Sequence, residues 1–198
     1  MLMIRSENTT DRGKGNIDAL LAVSFKEIAV HKPIEKITIK EITDKAGVIR
    51  PTFYNHFQDK YELLEWIVKQ ELILPMVPLI KEKHIKEAVT GSMNAVLSEK
   101  VFYTNANKLS GQNSFREILF NAVKELLLSF IGKEEFEKNI PYKWLTADVL
   151  ASFISEWICY AVTQWIEGGM KIPVDEIVGT FIYISYHSIL ELMMPTIE

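Results

Sequence analysis

Three of the expected helix starts in this chain place a hydroxyl or carboxylate side chain three residues ahead of a glutamate, close to an apolar run. The pairs are Thr38 with Glu41, Asp59 with Glu62, and Ser114 with Glu117. This spacing is the capping box, in which the first side chain accepts from an orphan N–H of a helix's first turn and the glutamate reaches back to the cap's own N–H. The apolar residues recur with the same periodicity, as in Ile17, Leu20, Leu21 and Ile28, the i, i+3, i+4 spacing of an amphipathic helix. ITIK at 37–40 is the only candidate for two-residue alternation and is too short for a strand. The fold class is therefore all-α.

The helix boundaries follow from breakers and caps. A first helix should end near His31 and Lys32, before Pro33, and a second should run from Thr38 to Gly47, a residue suited to a left-handed C-terminal cap. Short helices from about Arg50 to His56 and from Asp59 to Pro75 come next. Longer helices are expected over about 79–97, then to Leu109, from Ser114 to Ile131, from Thr146 to Gly168, and from Pro173 to Met194. KEEFEKNIPYKW at 133–144 reads as a polar connection. The organisation is a flexible N-terminal segment over 1–15, a helix-turn-helix domain over 16–70 and a larger helical domain over 71–198.

With 198 residues and a formal charge of −4, the chain looks at first unsuited to nucleic acid. The average conceals a division. Residues 1–70 carry 11 Lys and Arg against 10 Asp and Glu, whereas 71–198 carry 11 against 16. A lone cysteine, Cys159, and four scattered histidines offer neither an internal disulfide nor a structural zinc site. No glycine-rich phosphate loop, G-x-S-x-G elbow, H-E-x-x-H or paired-cysteine motif is present. No catalytic residue, cofactor or metal is expected. The first residues lack the apolar core of a signal peptide, and the stretch Leu150 to Ile166 is shorter than the roughly 20 residues of a membrane span. A cytoplasmic protein without a membrane partner is expected.

TIKEITDKAGVIRPTFYNHF at 38–57 has the anatomy of a helix-turn-helix. Ile39, Ile42 and Ala46 form the inner stripe of its first helix, Gly47 allows positive φ, Val48 fills the corner, and Phe53 with Phe57 faces the same core. Arg50, Pro51, Thr52, Tyr54, Asn55 and His56 remain outward, a donor-rich face of the kind a major groove accepts.

On the AGV turn at 46–48, the TFYNHF run at 52–57, and then Asp59, Lys60, Leu63 and Leu64, residues 16–70 resemble the TetR family of transcriptional regulators. A slighter likeness over 102–119 is to regulators grouped with dihydroxyacetone-kinase control. The resemblance implies phosphate contacts for Thr38, Tyr54, His56 and Lys60. It implies base-edge contacts for Arg50 and Asn55, with Pro51 and Thr52 against a thymine methyl. Two departures stand out: Ile49 replaces the usual capping Ser or Thr, and Pro51 replaces a smaller residue. Arg5, Arg12 and Lys14 belong to the frayed N-terminal segment, or alternatively to a minor-groove arm.

The implied function is a sequence-specific DNA-binding transcriptional regulator, a repressor released by a small-molecule effector. The alternatives are an activator or co-regulator working through a protein partner, or an interaction module that has lost DNA binding. Val149, Phe153, Ile154, Trp157, Ile158 and Ala161 form one wide apolar stripe, and Ile177, Phe181, Ile184, Ile189 and Leu192 another. Such helices must bury against two neighbours, and a homodimeric four-helix bundle supplies them. The dimer would set two recognition helices on a near-palindromic stretch of double-stranded DNA. Phe102, Tyr103, Phe115, Phe120, Trp144 and Trp157 are candidate linings for an effector pocket, and no single ligand-binding residue is singled out.

Overall fold

The computed structural model describes residues 9–187 together with Glu191 and Met193. Arg5, the side chains of Arg12 and Lys14, Ile189, Leu192 and the far end of the expected last helix lie outside the described residues. Eleven α-helices follow one another, with no strand among the described residues. They are α1 (Thr9–Ala29), α2 (Ile39–Ala46), α3 (Arg50–Tyr54), α4 (Lys60–Val68), α5 (Met76–Lys81), α6 (Ile85–Ser98), α7 (Lys100–Ala106), α8 (Phe115–Phe130), α9 (Lys133–Asn139), α10 (Ala147–Glu167) and α11 (Val174–Tyr186). A 3₁₀ turn (Ile34–Lys36) leads into α2, and a π-helical turn (Lys69–Ile73) continues α4.

The cap side chains accept as the spacing implies, but only Thr38 and Glu41 complete the reciprocal box: Glu62 accepts instead from Gln58 N–H, and Ser114 N–H bonds the Gly111 carbonyl. Thr38 and Glu41 exchange both bonds of the capping box, Asp59 accepts from Tyr61 and Glu62 N–H, Ser114 from Glu117 N–H, and Thr146 from Val149 N–H. Gly47 closes α2 at φ 69°, ψ 27°, and Val48 N–H returns to the Thr43 carbonyl at 3.0 Å.

Several boundaries differ from the sequence reading. α1 is already helical at Thr9, inside the segment expected to be flexible: Gly13 and Gly15 weaken a helix, but no proline interrupts it before Pro33. The expected helix over 79–97 is two, since Pro78 belongs to α5 and the chain turns at Lys83 with φ 64° before α6. The stretch at 133–139 is α9, with Glu134 and Glu135 in its first turn and Lys138 in its last, the distribution a helix dipole favours. Pro173 is the N-cap of α11 rather than part of its first turn. Near Pro75, α4 widens into the π turn, Leu74 N–H bonding the Lys69 carbonyl at 2.8 Å. A proline ring crowds the carbonyl four residues before it, and a wider turn relieves that crowding.

The apolar core runs without a break from Leu21 and Phe25 on α1, through Ile67, Val68 and Leu72, to Phe102, Tyr103 and Phe115, and on to Cys159, Val162 and Val178. Phe102, Tyr103 and Phe115 pack edge-on or tilted against one another and Phe25. All four are fully buried, so these three candidate linings are core side chains. A polar knot sits where α1 meets the later helices. Lys26 Nζ bonds Glu71 at 2.6 Å and Glu99 at 3.0 Å, while Tyr103 OH donates to Glu71 at 3.2 Å. The paired carboxylates raise the Lys26 pKa against the opposing pull of its burial, and burial pushes the Tyr103 phenol up.

α8 and α10 lie along each other. The face of α10 that seats on the core holds Ala147, Ala151, Ser155, Cys159 and Val162, all buried. The stripe that contains Phe153, Ile154, Trp157 and Ile158 is left half-buried or exposed. α10 as a whole is long and apolar enough, by length and composition, to cross a membrane. It carries Asp148 paired with Lys124 and Glu156 paired with Arg116, however, and it forms part of the core. Burial pushes the Cys159 thiol up to about 12, which leaves it an unreactive thiol.

Candidate nucleic-acid interface

α3 has only five residues, and its position depends on two rings. Phe53 is fully buried and Phe57 nearly so, their ring centroids 5.9 Å apart; Phe57 in turn meets the edge of Trp66 on α4 at 6.1 Å. Ile42 and Ala46 of α2 complete the small core beneath them. With its inner face pinned this way, α3 presents Arg50, Pro51, Tyr54 and Asn55 to solvent and leaves Thr52 half-buried. Tyr54 is 52% exposed, its ring edge-on to Phe53 at 5.7 Å. Among the described residues, neither Arg50 nor Asn55 makes a side-chain hydrogen bond or ion pair. The two candidate base-reading groups thus share one exposed face with nothing to break before they meet a ligand.

Ile49 occupies the N-cap with an extended backbone, no side-chain cap bond and 69% exposure. Pro51 stands in the first turn, where its missing N–H costs least. Short, uncapped and begun by a proline, this helix takes its stability from the rings below it rather than from its own ends.

The other three candidates are already engaged within the protein. Thr38 donates its hydroxyl to Glu41 Oε2 at 2.8 Å and accepts from Glu41 N–H, so its single donor is committed. Glu41 also bonds Lys32 at 2.6 Å. That lysine first, and then the Thr38 backbone N–H and hydroxyl, hold its carboxyl at about 2, well below the usual carboxylate range. Lys60 Nζ donates to the carbonyls of Glu35 at 2.7 Å and Ile37 at 2.8 Å, closing the end of the 3₁₀ turn. Desolvation lowers its pKa. An ammonium has three donors, so one N–H of Lys60 remains. His56 Nδ1 lies 2.6 Å from Asp18 Oδ1 on α1, both side chains nearly buried.

Of the six residues expected outward, Arg50, Pro51, Tyr54 and Asn55 are exposed, whereas Thr52 is half-buried and the His56 side chain is nearly buried against Asp18. Sequence reasoning missed the groups behind the face: Asp18, and the carbonyls of Glu35 and Ile37. These contacts join residues 38, 25 and 23 positions apart, and no periodicity reports such a pairing.

Two family models match the chain: bacterial regulatory proteins of the tetR family over residues 20–67, and a transcriptional regulator C-terminal region over residues 83–186. Among curated relatives, the HTH-type dhaKLM operon transcriptional activator DhaS of Lactococcus lactis subsp. lactis (strain IL1403) is 35% identical over 52 residues. That match takes in 26% of this chain and only 28% of the relative. The Transposon Tn10 TetC protein of Escherichia coli is 24% identical over 149 residues, 71% of this chain and 75% of the relative.

Solved structures of similar fold include the dihydroxyacetone kinase operon activator DhaS, with TM-score 0.58, 19% identity, and 85% of this chain and 93% of that one covered. Another is NalD, the secondary repressor of the MexAB-OprM multidrug efflux pump in Pseudomonas aeruginosa, with TM-score 0.56, 14% identity, and 85% and 94% covered. At these identities the structural likeness is one of fold.

Proposed function

The chain belongs to the tetR family of bacterial regulatory proteins, a family of transcription factors rather than enzymes, and from that membership we propose that it is a dimeric repressor that holds operator DNA through α3 and is released by a small-molecule effector. The observation that carries the DNA reading is the uncommitted pair Arg50 and Asn55 on the exposed face of a helix pinned by Phe53 and Phe57. Arg suits the O6 and N7 acceptors of guanine, and Asn suits adenine. Tyr54, His56 and the remaining N–H of Lys60 flank that face as phosphate contacts, while Pro51 and Thr52 offer apolar surface to a thymine methyl. Thr38 joins them by giving up its bond to Glu41.

The second support is the outer surface of α10 and α11. Phe153, Tyr160, Tyr183 and Tyr186 are all more than half exposed, with Ile184 beside them. A monomer that leaves such a patch in water forgoes its burial. A two-fold partner covers it and places two heads about 34–36 Å apart, one turn of a near-palindromic operator. A protein that works on chromosomal DNA acts in the cytoplasm.

Selecting genomic fragments with the full-length protein tests this reading: enrichment of near-palindromic sites supports it, and no enrichment above a non-binding control overturns it. Arg50→Ala, measured by fluorescence anisotropy on a selected duplex, should weaken binding by about 1–3 kcal/mol and relax preference at one position. Lys60→Ala should reduce the slope of log affinity against log salt by about one unit and, because Nζ also closes the 3₁₀ turn, lower the melting temperature. An unchanged slope would remove Lys60 from the phosphate contacts.

The likeness to DhaS, an activator of the dihydroxyacetone kinase operon, supports a second reading in which the bound protein raises transcription. Transcripts next to the selected sites decide the sign. They rise on deletion of a repressor and fall on deletion of an activator.

A further inference from the structure

The contact between Asp18 and His56 bears on how the head holds DNA. The two side chains come from different elements, α1 and the turn after α3, and are only 13% and 11% exposed. An ionised aspartate is an acceptor only, so the hydrogen in the 2.6 Å contact sits on the imidazole, with Nδ1–H donating to Oδ1. The two nitrogens of an imidazole point in widely different directions, and Nε2 therefore faces away from Asp18. In the neutral ring, with its one proton held at Nδ1, Nε2 is a bare acceptor and gains nothing from a phosphate oxygen. While Asp18 holds a proton at Nδ1, only the imidazolium carries an N–H at Nε2 as well.

We infer that Asp18 is a positioning residue for DNA binding: it locks His56 in the tautomer whose Nε2 donates to a phosphate only after the ring takes up a proton from solvent, so that operator binding is coupled to proton uptake at each head. This rests on the reading of α3 as the DNA-facing helix.

Among the described residues, Arg50 on α3 is exposed and makes no ion pair, and the other charged groups around the site are paired elsewhere. On α2, Lys40 pairs with Asp44 and Lys45 with Glu27 of α1. At the start of α4, Asp59 accepts from the Tyr61 and Glu62 backbone, Lys60 holds carbonyls, and Glu62 accepts from Gln58 N–H. The nearest ring is the uncharged Phe57, at 6.4 Å. Asp18 is thus the one charged partner described for His56.

The test is the affinity of the full-length protein for a selected duplex at fixed ionic strength, from about pH 5.5 to about pH 8.5, the range in which histidines change charge. The native protein should weaken by about 10-fold per head across that range, since charge and donor disappear together. Asp18→Asn should flatten the profile, because an amide can donate to Nδ1 and send the ring proton to Nε2 at every pH. His56→Gln, whose amide donates irrespective of pH, should flatten it as well, and serves on its own if Asp18→Asn does not fold. Specific binding with the same slope in all three proteins, or no slope in the native one, overturns this inference alone. Absence of specific binding at any pH overturns the DNA reading and this inference with it.

Discussion

Phe53→Ala should cost about 3–5 kcal/mol of stability, the usual loss for a fully buried phenylalanine cut back to alanine. The size of the effect follows from the shortness of α3. A helix of five residues without a side-chain cap cannot hold itself in water, and Phe53 is its one fully buried anchor. The loss should appear in urea unfolding as an earlier midpoint, with operator binding abolished well before the midpoint is reached. The core runs unbroken from α1 to α11, so the shift should move one transition rather than split off an early one. Two separated transitions would show that the head and the larger helical body unfold independently.

Phe153→Glu should have the largest effect on DNA binding of any change far from α3. Phe153 is 57% exposed on α10, packed only edge-on against Trp144, itself on the surface. A carboxylate there costs the folded monomer little but puts a charge on the exposed apolar side of α10 that a partner would cover. Sedimentation should show a monomer at micromolar concentration with an unchanged helical spectrum. Apparent operator affinity should fall by about 10²–10⁴-fold, the avidity lost when two linked heads become one. A dimer that persists with Phe153→Glu would place the interface elsewhere.

The two substitutions also mark where the sequence was easy to read and where it was not. Thr38, Asp59, Ser114 and Thr146 announce their helices because a cap is a local event: donor and acceptor lie two or three residues apart. The AGV turn and the Phe53–Phe57 pair are legible for the same reason. α9 was missed because its seven residues have no apolar face of the required period, and the π turn because the crowding at Pro75 shows itself in backbone geometry rather than residue type.

The core-facing side of α10 is harder to read from the sequence than its outer stripe. Periodicity picks out Phe153, Ile154, Trp157 and Ile158 as the greasiest stripe, yet the fold fully buries Ala147, Ala151, Ser155 and Cys159, leaves Phe153 exposed, and packs Trp157 and Ile158 half-buried at the edge of the core. Small side chains let α10 approach α8 closely, and close packing gains dispersion contacts that a row of large rings would have held apart. Hydrophobicity reports what wants to leave water; it does not report which of two apolar faces fits a particular neighbour.

By itself, then, the sequence determined an all-α chain, the caps of α2 and α4, the turn between α2 and α3, and the identity of the outward residues Arg50, Tyr54 and Asn55. Tertiary structure decided what stands behind them: Asp18 against His56, two carbonyls against Lys60, Glu71 and Glu99 against Lys26. It also decided which side of α10 stays exposed. The first set follows from interactions within one helical turn, which a linear pattern encodes. The second depends on where whole helices come to rest, and that is settled by the shape of the shared core.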